Sequence, residues 1–183
     1  MRAADPMRLL WLVLLTACNA PAAKTDAGVP GPDAALGEDF EMQAADFECV
    51  TRWPQVRNYR ITNKLGHTDA AVAIATADVG GNFPVGTLIQ LVPFEAMIKR
   101  RAGFDPVSND WEFFALQASA SGTKIVARGT SGVVNQFGGN CLDCHKKAVA
   151  KWDFICETGH GCDTLPLTSA QILSLQNNDA RCP

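Results

Sequence analysis

The chain has little of several kinds of residue, and each shortage excludes something. Its run of large apolar residues near the start, residues 9–15, is too short to cross a bilayer. With 16 basic and 19 acidic residues the formal net charge is −3, so there is no basic excess and we expect no nucleic-acid partner. Three histidines and four methionines in 183 residues leave few side chains that could coordinate a transition metal.

Cysteine is more plentiful, and two of the seven stand beside a histidine at residues 141–145. The order Cys-x-x-Cys-His is the attachment signature of a c-type haem, in which the two thiols add to the vinyl groups of one porphyrin. The adjacent imidazole is then the proximal iron ligand. Chance would produce the pattern about 0.004 times in a chain of this composition. We therefore predict one covalent haem c held by Cys141, Cys144 and His145, with His145 on the iron.

A structural zinc site is the alternative for the same residues. The motif could be joined by a second group of borderline ligands further along the chain, namely Cys156, His160 and Cys162. The start of the chain, described next, predicts export to an oxidising compartment. This argues against the zinc alternative, because thiols in such a compartment pair into disulfides.

The start of the chain is typical of an exported bacterial protein. Two arginines and an apolar run lead to Leu-Thr-Ala-Cys at residues 15–18, which resembles a lipoprotein signal. We predict a signal peptide over residues 1–17 and lipidation of the Cys18 thiol; an ordinary secretory signal cut elsewhere is the alternative. The mature protein is then lipid-anchored to a bacterial membrane and faces the periplasm. Asn19, which replaces the aspartate of many inner-membrane lipoproteins, favours the outer membrane.

Residues 18–38 are small, proline-rich and aperiodic, which predicts a flexible, lipid-anchored linker. Residues 39–183 are long enough for one domain with a sizeable core. Its pattern predicts an α+β fold with an antiparallel, barrel-like β-sheet and flanking helices. Short β-favouring stretches between turn signals predict strands at 59–63, 71–77, 83–92, 111–117 and 123–128, while 94–101 fits strand or helix.

Three helices are predicted around this sheet. Apolar residues recur at helical spacing over residues 39–50. The haem-bearing helix, near the carboxyl end, is expected to continue from His145 through residues 146–151. A capping box that begins at Thr168 predicts the last helix.

Four cysteines remain once Cys18 is lipidated and the motif carries haem, and four cysteines permit three pairings. We favour Cys156 with Cys162, which closes a small loop. The other pair is then Cys49 with Cys182, which ties the predicted first helix to the end of the chain.

Four stretches carry a resemblance to a known family. They are Phe-Pro-Val-Gly-Thr at 83–87, Asp-Trp-Glu-Phe-Phe at 110–114, the haem motif with Lys-Lys-Ala behind it at 141–148, and Asp-Phe at 153–154. Together they resemble the cytochrome P-460 family over about residues 53–166. The resemblance implies one antiparallel sheet with flanking helices, a dimer as the usual assembly, and an open sixth position on the iron. Relatives include enzymes that oxidise hydroxylamine and gas-binding proteins similar to cytochrome c prime beta.

The chain departs from the enzymatic members of that family at one place. They carry a lysine, cross-linked to the haem, on the strand that follows the Pro-x-Gly turn, whereas residues 87–91 here contain none. The next lysine is Lys99, which the charged run at 99–101 predicts to lie on a solvated surface.

Few residues could be a sixth haem ligand, and that ligand decides between two functions. The candidates are Met42, Met97, His67 and His160, of which His160 is expected on a surface loop. If none coordinates, Phe94, Trp111 or Phe113 could line an apolar pocket. A five-coordinate iron predicts binding or redox transformation of a small nitrogen species such as nitric oxide or hydroxylamine. A six-coordinate iron predicts a membrane-tethered electron carrier with a redox partner protein.

Overall fold

The computed structural model of the protein describes residues 37–183. The predicted signal peptide, the Cys18 lipidation site and nearly all of the linker therefore lie outside the described residues. In the described part, six strands and three α-helices confirm the α+β class. The strands are β1 (Gln55–Val56), β2 (Tyr59–Asn63), β3 (Thr87–Gln90), β4 (Glu95–Lys99), β5 (Trp111–Ser119) and β6 (Gly122–Gly129). The helices are α1 (Thr68–Thr76), α2 (Cys141–His145) and α3 (Ser169–Asn177).

The six strands form one antiparallel sheet in the order β1-β2-β3-β4-β5-β6. Since β1 and β6 are its edges and do not pair with each other, the sheet is open and the expected barrel-like closure is absent from it. Ile61, Ile89, Met97 and Phe113 are successive register partners across β2 to β5. Side chains in register lie on the same face, so these four form a continuous apolar surface that positions the site described below.

The opposite face of the sheet is covered by the start of the domain. Met42, Phe47 and Trp53 pack there against Leu88, Ile98 and Phe114. The predicted helix over 39–50 is wrong: this segment contains only two short 3₁₀ turns, Ala44–Asp46 and Val50–Arg52. An extended path lets its apolar side chains spread over the sheet, and that burial outweighs the weak helical preference.

The predicted strand at 71–77 is also wrong, because this segment belongs to α1. Ala71 and Ala75, one helical turn apart, are buried against the site face of the sheet. Alternation of apolar and small residues over so short a run fits a strand, but alanine is the strongest helix former and packs closely on a sheet.

The haem-motif helix is shorter than predicted. It ends at His145 and does not continue through residues 146–151, where a 3₁₀ turn, Ala150–Trp152, is found instead. The backbone N–H of Val149 leaves the helical pattern to donate to the carbonyl oxygen of His160 at 2.7 Å. The last helix, by contrast, is confirmed as α3, with the capping box at Thr168 present.

Two disulfides tie the described chain together, and they are the pairs favoured from the sequence. Cys49 is bonded to Cys182, and Cys156 to Cys162. Among the described residues, no helix combines the length and apolar character that crossing a membrane requires.

Candidate functional site

The Cys-x-x-Cys-His motif forms the single helical turn α2, which packs on the apolar face of the sheet. The side chain of Asn140 caps this turn by accepting a hydrogen bond from the Asp143 N–H at 3.1 Å. The N–H of Cys141 donates to the Val133 carbonyl at 3.0 Å, which anchors the start of the turn. Cys141 and Cys144 are free, whereas the other four described cysteines are in disulfides. The two thiols that a haem needs are therefore the two that remain.

The imidazole of His145 is held in one orientation. Its Nδ1–H donates to the carbonyl oxygen of Phe154 at 2.7 Å, and the ring of Phe113 lies beside it with centroids 5.2 Å apart. A carbonyl oxygen can only accept, so the proton is assigned to Nδ1 and the lone pair to Nε2. Burial lowers the pKa of His145 and favours the neutral ring. This is the protonation state in which a histidine coordinates iron through Nε2.

A cleft lies between this helix and the sheet. Its empty volume is about 710 Å³, counting the part open to solvent. Cys141, Cys144 and His145 all border it, together with an apolar lining of Ile89, Leu91, Met97, Phe113, Ile155 and Leu165. The residues present fit a covalent haem, because its flat apolar faces need such walls.

The surroundings of the thiols also suit thioether bonds. Burial raises the pKa of Cys141 to about 12 and raises the pKa of Cys144 as well. The site therefore disfavours a negative charge on either sulfur. A thioether, like the neutral thiol that it replaces, carries no charge, so the site accommodates it without burying a charge.

The ligand set of the zinc alternative is not assembled. Cys156 and Cys162 are bonded to each other, which removes two of the proposed thiolates. Both ring nitrogens of His160 are engaged: Nδ1 with the Ile155 carbonyl at 2.8 Å and Nε2 with the Arg57 guanidinium at 3.0 Å. In the described chain, no group of three or more histidine, cysteine or acidic side chains is arranged to hold a metal ion.

The sixth-ligand candidates are separated by their positions. Met97 lines the cleft, whereas Met42 is buried on the other face of the sheet. His67 is exposed near Glu38. His160 was expected on the surface but is only 3% exposed, stacked on the Trp152 ring at 3.9 Å.

The aromatic candidates for the pocket also fall in different places. Phe113 lines the cleft as expected. Trp111 is fully buried in the adjoining core without lining the cleft. Phe94 lies outside it, with its ring 6.1 Å from that of Phe137.

Lys99 is not on a solvated surface, which corrects the sequence expectation. It is 8% exposed, and its ammonium donates to Asp153 Oδ1 at 2.7 Å and to the Asn109 carbonyl at 2.8 Å. The next residue, Arg100, is equally buried and pairs with Glu112. Alternation along β4 puts these neighbours on opposite faces, where each finds an acidic partner that a charged run alone does not reveal.

Glu95 is a site residue that sequence reasoning missed. It lines the cleft, and its Oε1 is buried with no hydrogen-bond partner in the described part of the chain. Burial raises the pKa of Glu95 to about 7, against the opposing effect of the Gln136 backbone N–H. The available signal was its spacing, since Glu95 shares the inward face of β4 with Met97.

No family model, no curated protein and no solved structure matches this chain. The resemblance to the cytochrome P-460 family therefore depends on the residues that carry it. Two of the resembling stretches meet in the structure, because the Phe83 N–H donates to Asp153 Oδ2 at 2.8 Å. The residue after Asp153 supplies the carbonyl that binds His145.

Glu95 should make stability depend on pH. Its pKa is raised from 4.5 to about 7 in the folded chain, so its contribution is fully present below pH 4.5 and is lost as the pH rises through about 7. We expect the free energy of unfolding to fall by up to about 3 kcal/mol across this window. Urea unfolding at about pH 5 and about pH 8 measures the change. Glu95→Gln should remove this dependence, and an equal pH response in the variant would contradict the assignment.

Proposed function

We propose that the protein is an exported, mono-haem c-type cytochrome that binds or redox-transforms a small nitrogen species, such as nitric oxide or hydroxylamine. The observation that carries the proposal is the meeting, in one apolar cleft, of the two free thiols and a neutral His145 whose Nδ1 is already hydrogen-bonded. Cys141 and Cys144 would hold the haem covalently, and His145 would be its proximal ligand. A haem bound there supplies an iron that exchanges single electrons and binds small ligands.

The remaining wall of the cleft controls which molecules enter. Leu91, Met97, Phe113 and Leu165 exclude water and favour small, weakly polar ligands. Glu95 adds one polar group to this lining, with an oxygen that has no partner among residues 37–183. Such an oxygen accepts a hydrogen bond from an N–H or O–H of a small nitrogen species. In its protonated form, the same carboxyl group donates one.

The alternative is a six-coordinate, membrane-tethered cytochrome that passes electrons between periplasmic partners. One observation favours it: of the two described methionines, Met97 lines the cleft, and methionine is a common axial ligand in electron carriers. The unpartnered Glu95 oxygen supports the first function instead. A pure electron carrier gains nothing from a polar group that is costly to bury in its haem cleft.

The location and partners belong to the same proposal. Two disulfides suit an oxidising compartment outside the cytoplasm. Lipidation at Cys18 would anchor the protein to the membrane, facing the periplasm and in the outer membrane by preference, with residues 18–38 as the linker. We further propose a redox partner protein, and a homodimer as the resemblance implies.

Carbon monoxide distinguishes the two functions. The chain is produced in a host that matures c-type cytochromes, and absorption spectra of the reduced protein are recorded with and without the gas. We expect a haem spectrum that carbon monoxide changes on mixing, because an open iron position binds it directly. A haem spectrum that resists the gas would establish the electron carrier, and a colourless protein would exclude both functions.

A further inference from the structure

Two turns beside the cleft have a backbone conformation that non-glycine residues rarely adopt. Asn109 and Asp110 have φ angles of 51° and 60°, and Asp153 and Phe154 have φ angles of 47° and 65°. Each such residue costs free energy, so two in succession persist only where surrounding contacts hold them. The second pair follows the haem motif and includes the residue that binds His145.

One buried ammonium joins the two turns. Lys99 donates to the Asn109 carbonyl at 2.8 Å and to Asp153 Oδ1 at 2.7 Å. The Asp153 side chain has no exposed surface in this ion pair, and the Lys99 side chain is 10% exposed. The Asp153 carboxylate therefore has a single arrangement, with both oxygens occupied: Oδ1 by Lys99 and by the Asn109 side-chain amide at 2.5 Å, and Oδ2 by the Phe83 N–H at 2.8 Å.

The backbone at Asp153 is held as firmly as its side chain. The indole Nε1–H of Trp111 donates to the Asp153 carbonyl oxygen at 2.8 Å. The next carbonyl along the chain, that of Phe154, accepts the Nδ1–H of His145 at 2.7 Å. The orientation of the Phe154 carbonyl thus depends on a turn that is fixed from β4 and β5.

We propose that the Lys99–Asp153 ion pair, together with Trp111, is the positioning device for His145, because it holds the strained turn that aims the Phe154 carbonyl at Nδ1. Lys99 and Asp153 touch neither the imidazole nor the cleft, so they act through Phe154. A hydrogen bond from Nδ1–H makes the imidazole a stronger donor to iron. Stronger donation stabilises the ferric state, so the pair lowers the reduction potential. This inference rests on the proposed haem site, but not on which ligand the iron takes.

The variant Lys99→Met distinguishes a positioning role from a simple charge effect, since the two predict changes of opposite sign in the reduction potential. Removing a buried positive charge near the iron stabilises the ferric state and lowers the reduction potential. Releasing the turn weakens the hydrogen bond from His145 Nδ1–H to the Phe154 carbonyl. The weaker hydrogen bond raises the reduction potential. We expect a rise of about 59 mV, which corresponds to a tenfold change in a one-electron equilibrium. If carbon monoxide shows that the reduced iron is five-coordinate, we also expect the iron–histidine stretching frequency to fall.

Trp111→Phe repeats the test without any change of charge, and with a ring of similar character left in the core. It removes the one N–H that donates to the Asp153 carbonyl, at 2.8 Å, and more weakly to Asp153 Oδ1, at 3.4 Å, so we expect a smaller rise in the potential. This variant decides the question if Lys99→Met fails to fold. Arg181→Met is the matched control, because it breaks a buried ion pair with Asp179, outside the cleft. The control should leave the potential unchanged.

The measurement begins with the wild-type holoprotein, so that failure of the proposed function can be distinguished from failure of the proposed positioning role. A wild-type protein without covalent haem overturns the proposed function. A haem-loaded wild-type protein with an unchanged or lower potential in Lys99→Met, and no rise in Trp111→Phe, overturns the positioning role and leaves the function intact. An equal rise in Arg181→Met also overturns it, because any broken ion pair would then have the same effect.

Discussion

Replacing both motif thiols with serine should abolish the covalent haem attachment that we propose. In Cys141→Ser, Cys144→Ser no sulfur remains in the cleft to form a thioether, because Cys156 is already bonded to Cys162. We therefore expect the pigment bound to the denatured polypeptide to fall from one haem per chain to none, and acidified acetone to extract whatever colour is present. Each single variant keeps one thiol and should retain a fraction of covalent pigment.

The matched control for this experiment is Cys156→Ser, Cys162→Ser. It also exchanges two cysteines for serines at the edge of the same site, since the Cys156 sulfur lies 3.7 Å from the Cys144 carbonyl oxygen. We expect this control to keep its pigment through acid extraction. Covalent pigment that persists in the Cys141, Cys144 double variant would show that the haem is attached elsewhere or not through thioethers.

The parts of the fold that could be predicted from the sequence depend on local signals. β2 matches its predicted bounds, and β5 and β6 are each two residues longer than predicted. In all three, β-branched and aromatic residues lie between clear turn signals. The start of α3 was predictable because a capping box is a contact between near neighbours, Thr168 and Gln171.

The wrong predictions concern segments whose structure is decided by distant residues. Residues 39–50 have helical spacing, yet Asp39 is bound by Arg100, which is 61 positions away, and the chain is held in an extended path. The apolar pattern of α1 fits a strand as well as a helix, and the helix preference of alanine together with packing on the sheet selects the helix. Lys99 belongs to a charged run, but its partner Asp153 is 54 positions away and leaves no local signal.

The candidate site shows the same division. That Cys141, Cys144 and His145 lie together was predictable, because their spacing in the sequence is itself the signal. The contacts that hold His145 in place were not predictable. The hydrogen bond from His145 to the Phe154 carbonyl requires Asp153 and Phe154 to adopt a left-handed conformation, which their side chains do not favour. Glu95 is an intermediate case between the predictable and the unpredictable residues. An acidic residue on the inward face of an apolar strand marks a site, but only once it is known which face of that strand points inward.

Removing the Cys49–Cys182 disulfide should cause the largest loss of stability among the cysteine variants. The bond joins residues 133 positions apart, so it strongly restricts the unfolded chain. Loop-closure entropy predicts that Cys49→Ser, Cys182→Ser loses about 5 kcal/mol of unfolding free energy. For a domain of this size, the melting temperature should fall by roughly 10–20 °C.

The second disulfide provides the comparison that tests the cause. Cys156 and Cys162 are only 6 positions apart, so the same entropy argument predicts a loss of about 2 kcal/mol for Cys156→Ser, Cys162→Ser. Urea unfolding of both variants, with haem attached and under one set of conditions, measures the difference. Equal losses would mean that local packing, rather than restriction of the unfolded chain, determines what each bond contributes. A larger loss for the long loop, with unchanged haem spectra, would identify restriction of the unfolded chain as the main contribution of Cys49–Cys182.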